Sequence, residues 1–274
     1  MLPWNYGFHW TTGTIVFMGA FYTVVAIVAS TLIDAALRSR RDLRSRLVER
    51  IRWTEDFRDL PASSRQCRHV LTGEFTYREC PHAFDCRLCE THAKLVANSA
   101  PVPACEPDND IFGMAFPLNR IYHRGHTWVH AEPDGTVTVG LDDLGRRLLG
   151  EPDRVDLPQP GARVAVNGTG WRARKRNAEV RILSPVDGEI VETGGPDAPW
   201  YLRIRPDNID FRNLLGGHEI KPWIMREMER LQLALSGEAG VPTLADGGVP
   251  VPDIAAVYPQ ADWDAVCGEM FLEG

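Results

Sequence analysis

Lysine is almost missing from this chain. Lys94, Lys175 and Lys221 stand among 30 basic residues, so arginine supplies the other 27. A GC-rich genome produces such a bias, but it makes every lysine conspicuous. Positive charge is also missing from both ends: residues 1–14 hold no Lys or Arg, and the last 38 residues, from Gly237, hold seven acids and no base. A nucleic-acid binder shows a basic surface across a folded domain, so a net charge of −7 segregated in this way argues against that class. A cleaved signal peptide needs a basic segment ahead of its apolar core, and none is here. No Ser-His-Asp grouping, phosphate-cradling glycine loop or paired-carboxylate motif stands out either, so no small-molecule substrate is expected.

What is present begins with an uncharged run from Ile15 to Ile33, "IVFMGAFYTVVAIVASTLI". At about 1.5 Å per residue this run is about 30 Å long, the hydrocarbon thickness of a bilayer. Trp4, Tyr6 and Trp10 precede it, where aromatic rings favour the interface, and "RSRRDLRSR" follows it. Arginines on the C-terminal side predict a single-pass protein of the inner (cytoplasmic) membrane, its N-terminus outside and its soluble parts cytoplasmic. Residues 1–36 are thus the N-terminal segment with its transmembrane helix. Residues 37–60 follow as a juxtamembrane helix, with eight arginines from Arg38 to Arg58 around a stripe of Leu43, Leu47 and Ile51. Val48 widens that stripe and Trp53 falls toward its other flank. Such a helix packs on its own protein or lies on anionic headgroups, each base near the surface contributing about 1 kcal/mol.

Four of the six cysteines fall within 23 residues. Twelve residues separate Cys67 from Cys80, five separate Cys80 from Cys86, and two separate Cys86 from Cys89. The last pair can place two thiolates on one metal, and two more from a preceding loop complete a tetrahedron. A reducing compartment disfavours disulfides. Residues 61–98 therefore read as a small knuckle whose stability comes from structural zinc. An iron–sulfur cluster or free redox thiols are the alternatives, and His69, His82 or His92 can replace one cysteine. Closed four-thiolate zinc leaves no open position, so such a site is architectural. Cys105 and Cys267 read as ordinary thiols. "NSAPVPACEPDND" marks residues 99–117 as a linker.

From Arg120 the pattern turns to short strands. "TWVHAEPDGTVTVGL" alternates around an Asp134-Gly135 turn, "LDDLGRRLLG" is a short helix closed by Gly150, and brief extended runs follow through "WYLRIRP". "YHRGHTWVHAEPDGTVTVGLDDLGRRLLG", "VDLPQPG" and "SPVDGEIVETG" together resemble the glycine cleavage H protein family, lipoyl carriers, with His126, Trp128 and Val129 on its His-x-Trp-Val motif. The resemblance covers residues 118–235. It implies a mainly β, lipoyl-domain-like flattened barrel (a barrel-sandwich hybrid) of two small sheets related by a pseudo-dyad, with a C-terminal helix. It also implies a lipoylated lysine seven residues before Ser184, and that position is Asn177. An asparagine has no amine to acylate, so no lipoate is expected; Lys175 lies two residues away, at a different place in the turn. Arg172, Arg174, Lys175 and Arg176, with Arg181 after the turn, make the tip a basic knob, read as a solvated turn or as a dock for an acidic partner or anionic lipid headgroups.

Residues 236–274 are rich in Gly, Pro and Ala, yet carry Tyr258, Trp263, Met270, Phe271 and Leu272. Leaving such side chains in water costs roughly 1.5–3 kcal/mol each. The segment is therefore an extended acidic arm that wraps another protein, anchored by Tyr258, Trp263 and Phe271, or else its own domain. These features predict a non-catalytic, membrane-anchored accessory subunit of a larger respiratory or redox complex. A lipoyl carrier modified at Lys175 and an iron–sulfur electron-transfer protein are the competing expectations.

Overall fold

The computed structural model describes residues 11–44, 57, 60–98, 109–175, 178–194, 198–239 and 249–272. The chain divides into two compact units, residues 1–52 and 53–274.

Among the described residues the first unit holds one helix, α1, Thr12–Arg44. Its segment Thr12–Ile33 has a mean hydropathy of 2.1 and is long and apolar enough to cross a membrane. Its hydroxyls turn back on the helix: Thr23 donates to the Gly19 carbonyl at 2.7 Å, and Ser30 and Thr31 donate to Ile27 and Val28 at 2.8 Å. An apolar surrounding therefore meets carbon rather than unpaired O–H groups. The arginine-rich start of the juxtamembrane stretch continues α1 without a break to Arg44; most of the remainder, with Leu47, Val48, Ile51 and Trp53, lies outside the described residues.

The second unit is mainly β. A hairpin of β1 (Asn109–Ile111) and β2 (Met114–Phe116) precedes two antiparallel sheets. The larger has six strands in the order β3 (Ile121–Tyr122), β4 (Thr127–Ala131), β5 (Val137–Leu141), β11 (Leu202–Pro206), β10 (Gly188–Thr193), β7 (Arg163–Val164). The smaller joins β6 (Arg154–Asp156), β8 (Thr169–Lys175) and β9 (Ala178–Leu183). Two sheets around one core match the expected layout, although six strands against three make them unequal.

Local chemistry explains the boundaries. Asp134 accepts from Thr136 N at 3.0 Å and Thr136 Oγ1 at 2.6 Å, fixing the β4–β5 turn. Opposite Trp128 stands Gly140, where a Cβ would lie 2.5 Å from the indole, so only glycine lets the ring lie flat on β5. Asp142 caps helix α4 (Asp143–Leu149) by accepting from Gly145 N at 2.7 Å. Helix α5 (Ile220–Ala239) buries Ile220, Trp223, Ile224, Leu231 and Leu235, one stripe at helical spacing.

The core is larger than the motif-bearing stretch. Met114 and Phe116, placed by the sequence in a linker, are fully buried because β2 alternates inward and outward and its Ala115 N–H is held by Asp143 at 3.0 Å. The C-terminal segment also folds back. After α6 (Ile254–Val257) and α7 (Trp263–Met270), Phe271 is 0% exposed, its ring edge-on to His126 at 5.9 Å. Trp263 is buried and donates to the Tyr258 carbonyl at 2.8 Å, while Tyr258 is half-buried against the same core. Of the two roles expected for this segment, its aromatic side chains take the second: they cover their own domain, because α5 and β9 leave an apolar surface that α7 closes.

Phe271→Ala should therefore lower the unfolding free energy by about 3–5 kcal/mol, whereas Val257→Ala, on the exposed side of α6, should stay within about 0.5 kcal/mol. Urea unfolding of the two variants checks this; equal midpoints would mean that the segment does not belong to the core.

Candidate functional site

The hairpin that the family resemblance singles out is β8–β9, in register Arg174↔Glu179 and Lys175↔Ala178. Its two connecting residues, Arg176 and Asn177, lie outside the described residues. Arg172 and Arg174 do not stand as bare charges: both pair with Glu179, at 2.9 and 3.0 Å. Hydrogen bonds from Arg174 and Arg172 hold the Glu179 carboxyl below its usual pKa.

Lys175 is tied down. Its Nζ donates to the Glu151 carbonyl at 2.6 Å and to Asp253 Oδ2 at 3.0 Å, leaving the side chain 11% exposed. Asp253 comes from the C-terminal segment, where it also caps α6 by accepting from Ala256 N at 3.0 Å. The approach is possible because Gly150 ends α4 at φ +54°, where an added Cβ would sit 2.3 Å from the Asp253 carboxyl carbon. Arg147, which donates to the Pro250 carbonyl and to Gly113 O at 3.0 Å, fastens the preceding residues. An acyl-accepting lysine must present a free amine, and Lys175 does not.

The cysteine-rich segment is built onto the same unit. Cys67 N donates to Arg78 O and Cys80 N to Arg65 O, both at 2.8 Å, so a two-stranded bridge sets these cysteines side by side. Beyond Cys80 the chain passes through Ala83 and Phe84 with φ of +47° and +62°, a costly conformation for residues with a Cβ. That turn aims the Phe84 N–H at Cys80 Sγ, 3.3 Å away. Cys86 opens a single helical turn capped by Asp85, which returns Cys89 N to the Cys86 carbonyl at 3.2 Å. Helix α3, Glu90–Asn98, follows.

All four cysteines line one cavity of about 10 Å³, together with Arg68, Arg124, His69 and His92. Among the described residues, no three His, Cys, Asp or Glu side chains are placed to hold a single metal ion. Burial pushes the Cys86 thiol up to about 11, outweighing the nearby Arg68. His69 Nε2 and His92 Nδ1 are 3.0 Å apart and bonded to each other; burial, followed by the adjacent arginine charge, pushes His92 down to about 4. His82 stands at the turn after Cys80, apart from that pair and not on the cavity wall. Cys267 is buried in α7, far along the chain from the cavity; Cys105 lies outside the described residues.

The cavity walls are locked to the sheets by charge. Arg68 binds Glu219 in a two-pronged pair and donates to Arg212 O at 2.6 Å. Arg87 bridges Asp85 at 2.8 Å and Asp187 at 2.5 Å, and Asn167 donates to Ala83 O at 2.7 Å. Arg124 differs from these. It is 2% exposed, donates to the Gln66 carbonyl, lies 4.0 Å over the Phe84 ring, and among the described residues makes no ion pair. Its Nε lacks a partner, and desolvation pushes its pKa down to about 10.

Sequence patterns missed a second buried cluster. His126 Nδ1 meets Asp142 at 3.0 Å, and its ring stacks on Trp223 at 5.4 Å. Glu227 and Arg230 pair at 2.5 Å beside it. The only signal available was a Glu and an Arg three apart on the apolar face of α5, which reads as a surface pair until the face is known to be buried.

With this geometry in place, comparison with known proteins is informative. A family model described as glycine cleavage H-protein matches residues 120–195. The glycine cleavage system H protein of Psychrobacter sp. (strain PRwf-1) is 35% identical over 112 residues, 36% of this chain and 89% of that protein. That of Escherichia coli O7:K1 is 36% identical over 125 residues, 45% of this chain and 93% of that protein. A crystal structure of the H protein from Mycobacterium marinum covers 38% of this chain and 94% of its own at 24% identity, with a TM-score of 0.33.

Because Asn caps a helix as well as Asp does, Asp253→Asn removes the charge pair to Lys175 while keeping α6 capped. Amine-directed acylation of Lys175, followed by peptide mass mapping against exposed Lys94, should speed up by about 2- to 5-fold in that variant, the worth of a partly exposed ion pair. Unchanged reactivity would show that Asp253 does not restrain the amine.

Proposed function

The chain belongs to the glycine cleavage H-protein family, and from that premise we propose that it is a non-catalytic, membrane-anchored accessory subunit that uses an H-like domain as a scaffold. The single observation that carries the proposal is the pairing of Asn177 at the acceptor position with a Lys175 whose amine is already occupied by Asp253 and Glu151. Amide formation to lipoate needs a primary amine presented at the tip; this hairpin offers an amide there and a buttoned-down lysine beside it. A domain that cannot carry a swinging arm retains only its shape and its surfaces.

Other features support the same reading. An apolar helix long enough to span a bilayer precedes the domain, and the arginines after it favour placing the domain on the cytoplasmic side. Arg172 and Arg174 leave a basic face at the hairpin, since two guanidiniums share one Glu179 carboxylate. That face suits an acidic patch on a neighbouring subunit, and a respiratory or redox membrane assembly is the setting in which we place it.

Gentle detergent extraction, size fractionation and intact-mass measurement test this. The chain should run with other membrane subunits and have the mass of its unmodified sequence at Lys175. A lipoyl adduct on Lys175 would restore the carrier function, and recovery as a lone, stable monomer would remove the scaffold role.

A further inference from the structure

The loop from β3 to β4 reads His123-Arg124-Gly125-His126, and its three titratable side chains are all buried. We propose that His126 is a proton-operated latch: with a proton on each ring nitrogen it bridges Asp142 and Glu227 and holds the C-terminal segment shut, and with one proton lost it lets that segment loosen. The inference does not depend on the scaffold role of the domain.

The geometry is that of an imidazolium. His126 is 0% exposed, with Nδ1 3.0 Å from Asp142 Oδ2 and Nε2 3.8 Å from Glu227 Oε2. A neutral imidazole donates from one nitrogen and accepts at the other. Between two carboxylates its accepting nitrogen would face an oxygen that also only accepts, whereas the charged ring directs an N–H to each side. Glu227 has Arg230 at 2.5 Å and, farther off, the charge of Arg124. Asp142 takes the Gly145 N–H at 2.7 Å, but its ion pair among the described residues is with His126. A buried carboxylate without its cation is strongly unfavourable, so the proton belongs to the packing.

The surrounding groups leave His126 as the one that titrates near neutrality. On its own loop, burial pushes His123 down to about 4; that ring is occupied by Asn167 at 2.9 Å and by the Gly125 N–H at 3.1 Å. Arg124 is pushed by burial down to about 10 and still carries its charge. On β3, burial and then Asp142 push the Tyr122 phenol up, which keeps it neutral. Asp142 faces the cluster from the α4 cap, Glu227 and Arg230 from α5, and Glu269 from α7. For His126 itself burial opposes the charge, but Asp142 and then Glu227 outweigh it and raise the pKa.

The C-terminal segment rests on this cluster. Phe271 meets the His126 ring edge-on at 5.9 Å, and its carbonyl lies over Gly125, where an added Cβ would sit 3.2 Å from that oxygen. Arg230, the partner of Glu227, also donates to the Glu269 carbonyl at 2.7 Å. Once the proton leaves, two buried carboxylates share one cation fewer and water has to reach them. Strands β4 and β5 are laddered together over five residue pairs, whereas α7 lies on the cluster through side chains and a carbonyl, so α7 gives first. The direction follows from the raised pKa: the folded state keeps a proton that the unfolded chain has released. The stabilisation is full below about 6.5, the ordinary histidine value, and is lost as the pH rises through the folded value.

The full-length chain in detergent tests this by urea unfolding between about pH 6.5 and 8.5, a window below the ordinary cysteine range. The unfolding equilibrium constant of the wild type should rise by up to about tenfold per pH unit, and His126→Gln should flatten that rise. Equal slopes in the two proteins would overturn the proposal. Amide exchange, corrected for its intrinsic pH dependence, gives the second readout: residues 263–272 should lose protection with rising pH before β4 and β5 do. Loss of protection in all of them together would reduce His126 to a general stabiliser and remove the latch. Because His126→Gln can fail to fold, nitrogen NMR of the wild-type imidazole, identified by its contacts with Trp223 and Phe271, should find both ring nitrogens protonated at pH 7. A neutral ring there would also overturn the proposal.

Discussion

The carboxylate of Glu227 is the point on which the second unit is assembled. Fully buried, it accepts from Trp223 Nε1 at 3.1 Å and from Arg230 at 2.5 Å, and it stands 3.8 Å from His126 Nε2. Through His126 it reaches Asp142, the cap of α4; through Arg230 it reaches the Glu269 carbonyl of α7 at 2.7 Å. Burial opposes charge on His126, but Asp142 outweighs it and the imidazole pKa is raised. A buried ionic network of this kind adds little net stability compared with an apolar core, but removing one member leaves the others stranded. It fixes where α5, α4 and α7 must sit, and the C-terminal segment is thereby specified as part of the fold.

From that arrangement follows the fate of the hairpin. Because α7 is fixed on α5, the chain ahead of it has to cross α4, and Asp253 arrives beside Gly150 within reach of Lys175. On the proposed reading Asn177 occupies the family's acceptor position, and Lys175, two residues away, is restrained by Asp253 and Glu151. Glu219, in the turn that leads into α5, receives Arg68 and so joins the cysteine segment to the entry of the same helix. α5 and the turn before it carry the anchors for both additions.

What could be read in the sequence was whatever depends on neighbours along the chain. The Asp134-Gly135 turn, the short helix α4 closed by Gly150, the apolar run of α1 and the strand pattern through "WYLRIRP" are all local, and each is found where expected. What stayed hidden depends on surfaces far apart in sequence. Met114 and Phe116 lie in a stretch of linker composition, and their burial depends on α4. Trp263 and Phe271 looked like anchors for a partner because nothing in a Gly/Pro-rich stretch reveals that α5 and β9 leave a gap of their shape. Cysteine spacing located the candidate ligands, but neither the buried Arg124 over the Phe84 ring nor the contact between His69 and His92 has any one-dimensional signature.

Leu272 packs with Leu60, Phe84 and Leu183, and Ser64 donates to Glu269 at 3.3 Å. Leu272 thus completes a small core begun some two hundred positions earlier. During synthesis, the segment around Phe84 leaves the ribosome long before Leu272 exists, so that core stays open until residue 272 has emerged. Completion of the cysteine segment therefore waits on residues far downstream, and a product stalled or clipped ahead of Leu272 would display that segment unfinished to the quality-control machinery of the cell.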